Sequence, residues 1–216
     1  MPDAELLIRW TQACCLNPRM LKNSWKADGH VNSPWLHPEA VEPIRAAVQL
    51  RLRLMPYLYT LMWQARQRHR PVLRPSFYDF DDDTRCWDDD DAVADSVMVR
   101  PDLLLAPVFA PGARERRVYL PLGAHAPGWF DLAGERYWPG GSEVTVAAPL
   151  DQMPIFVRAG ALLTMAASDS DARLTEEPSR LLRYYPPPDG DIAVELPTGE
   201  RRPLTLRPDR VPMFRR

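Results

Sequence analysis

Apolar residues recur at helical spacing through roughly the first seventy positions and at strand spacing after them. Leu6, Leu7, Trp10, Ala13 and Cys14 form one such stripe, the mark of an amphipathic helix. Asp3 is placed to cap it, with Glu5 in the first turn. Asn17-Pro18 ends this helix, because the residue before a proline is driven out of the α region. Arg19-Met20-Leu21-Lys22 is expected as a short strand, and Lys26-Ala27-Asp28-Gly29 as a turn. Val41, Ile44, Val48, Leu52 and Met55 then predict a long helix from about Pro38 to His69. Pro56 lies inside it and is expected to kink it by removing a backbone donor.

From Leu73 onward the pattern is that of strands. Leu103 to Phe109, Glu115 to Leu120, Trp129 to Leu132, Arg136 to Trp138, Glu143 to Val146 and Ile155 to Val157 are short candidates separated by Gly and Pro turns. Arg158-Ala159-Gly160 reads as a turn into a further apolar run at Ala161-Leu162-Leu163. Such spacing favours a sandwich over a doubly wound sheet. The acidic stretch Asp79 to Asp91 is expected as a solvated loop. Ser168 to Asp171 reads as a linker and Leu181 to Tyr185 as one more strand, while Arg201 to Arg216 is expected to be frayed or disordered.

Composition narrows the classes. The 216 residues are 45% hydrophobic and 26% charged, with a formal net charge of -2. That balance gives no reason to expect nucleic acid or an anionic membrane as partner. No apolar run approaches the roughly 20 residues of a membrane helix. The start, Met1-Pro2-Asp3-Ala4-Glu5, lacks the basic and apolar regions of a secretory signal. Cys14, Cys15 and Cys86 make no disulfide framework and no metal spacing, so reduced thiols in a cytoplasmic protein are expected.

Several strings stand in a specific order. They are Glu5-Leu6-Leu7-Ile8-Arg9-Trp10-Thr11-Gln12, Asn17-Pro18-Arg19-Met20, the segment Asp28 to Glu39, and Leu50-Arg51-Leu52-Arg53-Leu54-Met55-Pro56-Tyr57-Leu58-Tyr59-Thr60-Leu61. Arg117 to Pro121, Trp129-Phe130-Asp131 and Ala148 to Leu163 follow. The series resembles glycoside hydrolase family 31, which contains α-glucosidases and α-xylosidases. The resemblance implies an α+β fold: the end of a (β/α)8 barrel, with two helices and one strand, followed by an antiparallel β-sandwich. Residues 1–72 would be the incomplete barrel end, 73–167 the sandwich, and 168–216 a truncated start of a further β domain or a disordered tail.

The resemblance also bears on chemistry. The family is retaining, which requires a carboxylate nucleophile and a carboxylic acid/base. It carries both as aspartates on barrel strands that precede every matched string, so no residue here is assigned a catalytic role, and no cofactor is expected. Met1 then reads as a start inside an older reading frame. One substrate contact is expected: Asn23, before Ser24-Trp25, occupies a position where the family usually has a histidine. Strand ends on that barrel face hold substrate, and an asparagine side chain can hydrogen-bond a sugar hydroxyl. Ser33 stands where close relatives often have glutamate. Two readings follow. The chain is the C-terminal part of an α-glycosidase, acting on an α-linked glycoside only with an upstream half supplied separately, or it is a non-catalytic remnant or sandwich interaction module. The helix from Pro38 to His69 would expose its apolar face unless it docks on the sandwich, and residues 1–72 are therefore expected to be poorly packed or to depend on a partner.

Other chemistry-bearing residues have plainer readings. The run Asp88 to Asp91 lacks the glycine and closing glutamate of a calcium loop, and nothing in the pattern desolvates one acid of a pair to separate their pKa values. His30, His37, His69 and His125 show no i,i+4 metal pair. Trp129, Tyr137 and Trp138 are expected in the sandwich core or at its edge, with sugar stacking as the alternative.

Overall fold

In a computed structural model, which describes residues 2–22, 31–167, 180–187, 192–195, 201–204 and 213–215, the first helix, α1, spans Ala4–Cys14. Asp3 caps it by accepting from the Leu6 N–H at 2.7 Å. The buried face differs from the expected stripe. Leu7 and Ile8 are buried together with Arg9, Thr11 and Gln12, whereas Leu6 and Trp10 face outward. Polar side chains can occupy the inner face because each finds a partner: the Thr11 hydroxyl donates to the Leu7 carbonyl at 2.7 Å, and those of Arg9 and Gln12 are described below. Residues 19–22 form no strand; a strand persists only beside another that completes its ladder, and none of the described strands pairs with this segment.

Pro38–Ala40 make a 3-10 turn that leads into α2, Val41–Arg68. The helix runs on through Pro56, and the Thr60 hydroxyl donates to the Pro56 carbonyl at 3.0 Å. His69 closes it in the left-handed region at φ 52.

The acidic stretch is solvated at Asp81, Asp82, Asp88 and Asp89, as expected, but it is also ordered locally. A 3-10 turn at Ser76–Tyr78 leads into it, a second lies within it at Thr84–Trp87, and a short helix, α3, begins at its end and spans Asp91–Ala94. Asp83 and Asp90 cap the second turn and α3 by accepting from Arg85 N–H and Ala92 N–H. Aspartate is among the best N-caps, so part of the run starts helices rather than merely meeting solvent.

The strands are β1 Leu73–Arg74, β2 Val97–Val99, β3 Leu103–Leu105, β4 Glu115–Leu120, β5 Gly128–Asp131, β6 Tyr137–Pro139, β7 Ser142–Ala147, β8 Ile155–Arg158, β9 Leu162–Ala166, β10 Arg180–Tyr184, β11 Ile192–Glu195, β12 Arg201–Leu204 and β13 Met213–Arg215. A six-stranded sheet has the order β1-β2-β3-β8-β5-β6, and β4 pairs with β7. A third sheet is ordered β13-β10-β9, and β11 pairs with β12. Every pairing is antiparallel. In the tail, expected as the start of a further β domain or as disordered, Arg201–Leu204 and Met213–Arg215 are strands, and β13 pairs with β10, with Leu182 opposite Phe214.

Strand alternation divides the core. Leu104 and Phe156, directly opposite each other, join Met98, Trp129, Val118 and Leu120 in the cluster between the six-stranded sheet and β4–β7. Their neighbours Leu103, Leu105, Ile155 and Val157 point the other way, onto Leu54, Tyr57, Leu58 and Leu61 of α2 and Leu163 and Met165 of β9. The sheet thus receives one face of α2, so this helix is not the poorly packed element expected. Leu7 and Ile8 form a smaller cluster with Ala40 and Ile44. Trp129 is buried and its Nε1 donates to the Pro121 carbonyl at 2.8 Å, while Trp138 sits edge-on to Phe156. Core packing, not sugar stacking, is the role of both.

Candidate functional site

Of the residues singled out in the sequence, Asn23 and His30 lie outside the described residues. Ser33 is in the loop before α2, where its N–H donates to the Val31 carbonyl at 2.8 Å. His37 contacts the Pro2 carbonyl through Nε2 at 2.9 Å, and His125 is exposed. The cysteines are free, with Cys15 and Cys86 buried and their thiol pKa values pushed up to about 12 by burial. Among the described residues no three His, Cys, Asp or Glu side chains gather as a metal site.

What the structure does build is a seam between helices and sheet, fastened by three arginines. Arg9, on the inner face of α1, donates to the carbonyls of Ala113, Ala148, Pro149 and Gln152 and to Gln12 Oε1 at 2.6–3.1 Å. Gln12 Nε2 donates to the Leu150 carbonyl at 2.8 Å. The turn preceding β8 is thereby clamped to α1. Burial lowers the pKa of Arg9, but a guanidinium stays charged throughout. Arg51, on α2, donates to the carbonyls of Cys15, Asn17 and Pro18 at 2.6–3.1 Å. Carbonyls just past a helix end lack intrahelical donors, and Arg51 supplies them.

The third arginine belongs to a buried polar set. Arg158, at the end of β8, lies 2.8 Å from Asp102, which precedes β3. The Tyr57 hydroxyl, reaching in from α2, is 2.6 Å from the Arg100 carbonyl and 3.3 Å from Asp102 Oδ2. Burial pushes the Asp102 carboxyl above its ordinary pKa, while the Arg158 charge opposes the rise. Burial, reinforced by Asp102, also drives the Tyr57 pKa well up, so the phenol stays protonated. Close by, Arg74 pairs with Asp79, whose carboxyl is likewise raised by burial. These acids are engaged by arginines that tie chain segments together. Neither Arg9 nor Arg158 was legible as a clamp; the only signal was an arginine set among apolar residues in each string.

The far side of α2 is different. Tyr59, Met62 and Trp63 are exposed there, Tyr59 to 66% and Trp63 to 57%. On α1, Leu6 and Trp10 are exposed too, and they line an apolar groove of about 450 Å³ together with Val97, Pro107 and Phe109. No described helix is long and apolar enough to cross a membrane.

Two family models account for this arrangement. Residues 1–61 match the glycosyl hydrolases family 31 TIM-barrel domain, and residues 69–163 match the glycosyl hydrolase family 31 C-terminal domain. The chain belongs to glycoside hydrolase family 31. It is similar to the neutral alpha-glucosidase C of Mus musculus, at 34% identity over 163 residues, which is 75% of this chain and 17% of that protein. It is also 31% identical to the alpha-xylosidase of Saccharolobus solfataricus, over 87% of this chain and 24% of the relative. The cycloalternan-forming enzyme from Listeria monocytogenes, solved with a pentasaccharide substrate, superposes with a TM-score of 0.76 at 26% identity, over 94% of this chain and 20% of that one. The family 31 chain thus spans about a fifth of the length of these relatives. Its α1, and α2 as far as Leu61, fall in the barrel match, and β1–β8 in the C-terminal-domain match.

Proposed function

We propose that this chain is the C-terminal scaffold of a retaining α-glycosidase and hydrolyses no glycoside by itself. The observation that carries this reading is the two-sided character of α2. Its inner face, with Leu54, Tyr57, Leu58 and Leu61, lies on the sandwich sheet, while its outer face exposes Tyr59, Met62 and Trp63. In a (β/α)8 barrel each helix covers the strand layer with an apolar stripe. A helix shared between barrel and sandwich needs both faces. Burying a side chain of this size contributes roughly 1.5–3 kcal/mol, so strands supplied from an upstream half would gain substantially by docking there. The family's two aspartates lie on such strands, and Asn23 would meet an α-linked substrate only in that complex. A cytoplasmic setting is part of the proposal, supported by three free cysteines.

The experiment uses p-nitrophenyl α-glucoside and α-xyloside with the purified chain, alone and mixed with a separately produced polypeptide carrying the earlier barrel strands of a family member. No turnover alone and turnover on mixing are expected, with Trp63→Asp in this chain abolishing the effect of mixing. Hydrolysis by the chain alone would overturn the proposal.

A further inference from the structure

The acidic segment between β1 and α3 carries a surface that has no part in the helix–sheet seam. Phe77 and Trp87 stack with ring centroids 4.7 Å apart and planes 17° from parallel. Trp87 Nε1 donates to the Asp81 carbonyl at 3.2 Å, so the indole is held at its edge and over part of one face. Phe80 and Cys86, next in sequence to these groups, are buried in the sandwich core and anchor the backbone. Even so, Trp87 is 60% exposed and Phe77 38%. Asp81, Asp82 and Asp89, within a few positions of these rings in the chain, are exposed, and none of them is in an ion pair among the described residues. A large aromatic that is fixed yet left in solvent has already lost the rotamer freedom that binding would otherwise remove.

We propose that Trp87, backed by Phe77, is a stacking platform for one pyranose ring of an α-linked oligosaccharide, with Asp81, Asp82 and Asp89 accepting hydrogen bonds from its hydroxyls. The electron-rich face of an indole attracts the C–H face of a sugar ring, and a few polar groups around an apolar contact set its orientation. Near-parallel stacking leaves a flat surface, which suits a flat ring. An ammonium group is held instead by aromatic faces converging on it, and the neighbouring Tyr78 ring is already covered by Arg74, 4.6 Å from its centroid. The saccharide class rests on the glycosidase reading above; the platform geometry does not.

The test is a titration of the 15N-labelled chain with maltoheptaose, followed on the indole N–H signals of its seven tryptophans. Trp87→Phe identifies the Trp87 signal. A saturable shift of that signal is expected, and isothermal titration calorimetry, which needs no indole signal, should show binding at least about tenfold weaker in Trp87→Ala. An Asp81→Asn/Asp89→Asn double variant keeps both rings and should bind several-fold more weakly, so the test does not depend on one variant folding. Absence of saturation at about 20 mM ligand, or binding unchanged in Trp87→Ala, overturns the proposal. So does a Trp87 shift produced by a hexalysine peptide and not by maltoheptaose. Complementation of hydrolysis and this titration have separate readouts, so either can fail while the other succeeds.

Discussion

Arg158 sits 2.8 Å from Asp102, and the Tyr57 hydroxyl closes over the same carboxylate from the facing helix. Removing the arginine as Arg158→Met leaves an ionised acid buried without its partner. The expected loss is about 3 kcal/mol at pH 7, read from urea melts. The pH dependence has a definite sign. Asp102 is already raised by burial, and Arg158 is the largest influence opposing that rise, ahead of Tyr57 and Arg100, so the variant's folded pKa is higher still. A raised carboxylate contributes stability that is full below the ordinary carboxylate pKa and lost as pH rises through the folded value. The deficit of Arg158→Met should therefore shrink on acidification. Asp102→Asn, which keeps the acceptor without the charge, should cost less than Asp102→Ala.

Arg9 is expected to matter as much as any core residue. It satisfies four backbone carbonyls and Gln12 Oε1, and a buried carbonyl left without a donor costs about 1–3 kcal/mol. Arg9→Met should destabilise by about 3 kcal/mol and speed hydrogen exchange at the Gln152 amide, which bonds the Pro149 carbonyl. Arg9→Lys should not rescue, because a single ammonium cannot reproduce the guanidinium fork.

Gly128, at the start of β5, has no room for a methyl group. A Cβ there would collide with the Trp138 carbonyl oxygen and the Tyr137 hydroxyl. Gly128→Ala must push β5 from β6 and should cost about 1–3 kcal/mol or more, visible as a lower melting temperature.

His69 ends α2 at φ 52, a conformation that glycine adopts without strain. His69→Gly is expected to stabilise the chain by about 1 kcal/mol, measured by denaturant midpoint. A lower midpoint would show that the histidine side chain earns its place through contacts.

Much of the architecture was legible because it rests on local rules. The cap at Asp3, the stop before Pro18, the extent of α2 and the turn glycine Gly160 act within a few residues, and the strands from Glu115 to Val157 follow from alternation between turns, whereas the buried face of α2 (Ile44, Ala47, Leu54, Tyr57, Leu58 and Leu61) shares only Ile44 with the stripe expected. The family strings were legible for the same reason, as ordered residue types. Only the three-dimensional fold decided that Leu6 and Trp10 face outward while Arg9 and Gln12 go in, since a buried polar side chain is tolerated only where distant carbonyls wait for it. The same holds for Asp83 and Asp90 as caps, for the pairing of β13 with β10, and for the seam of Tyr57, Asp102 and Arg158. Those partners are dozens of positions apart, and no periodicity in a chain records which far segment will arrive beside which.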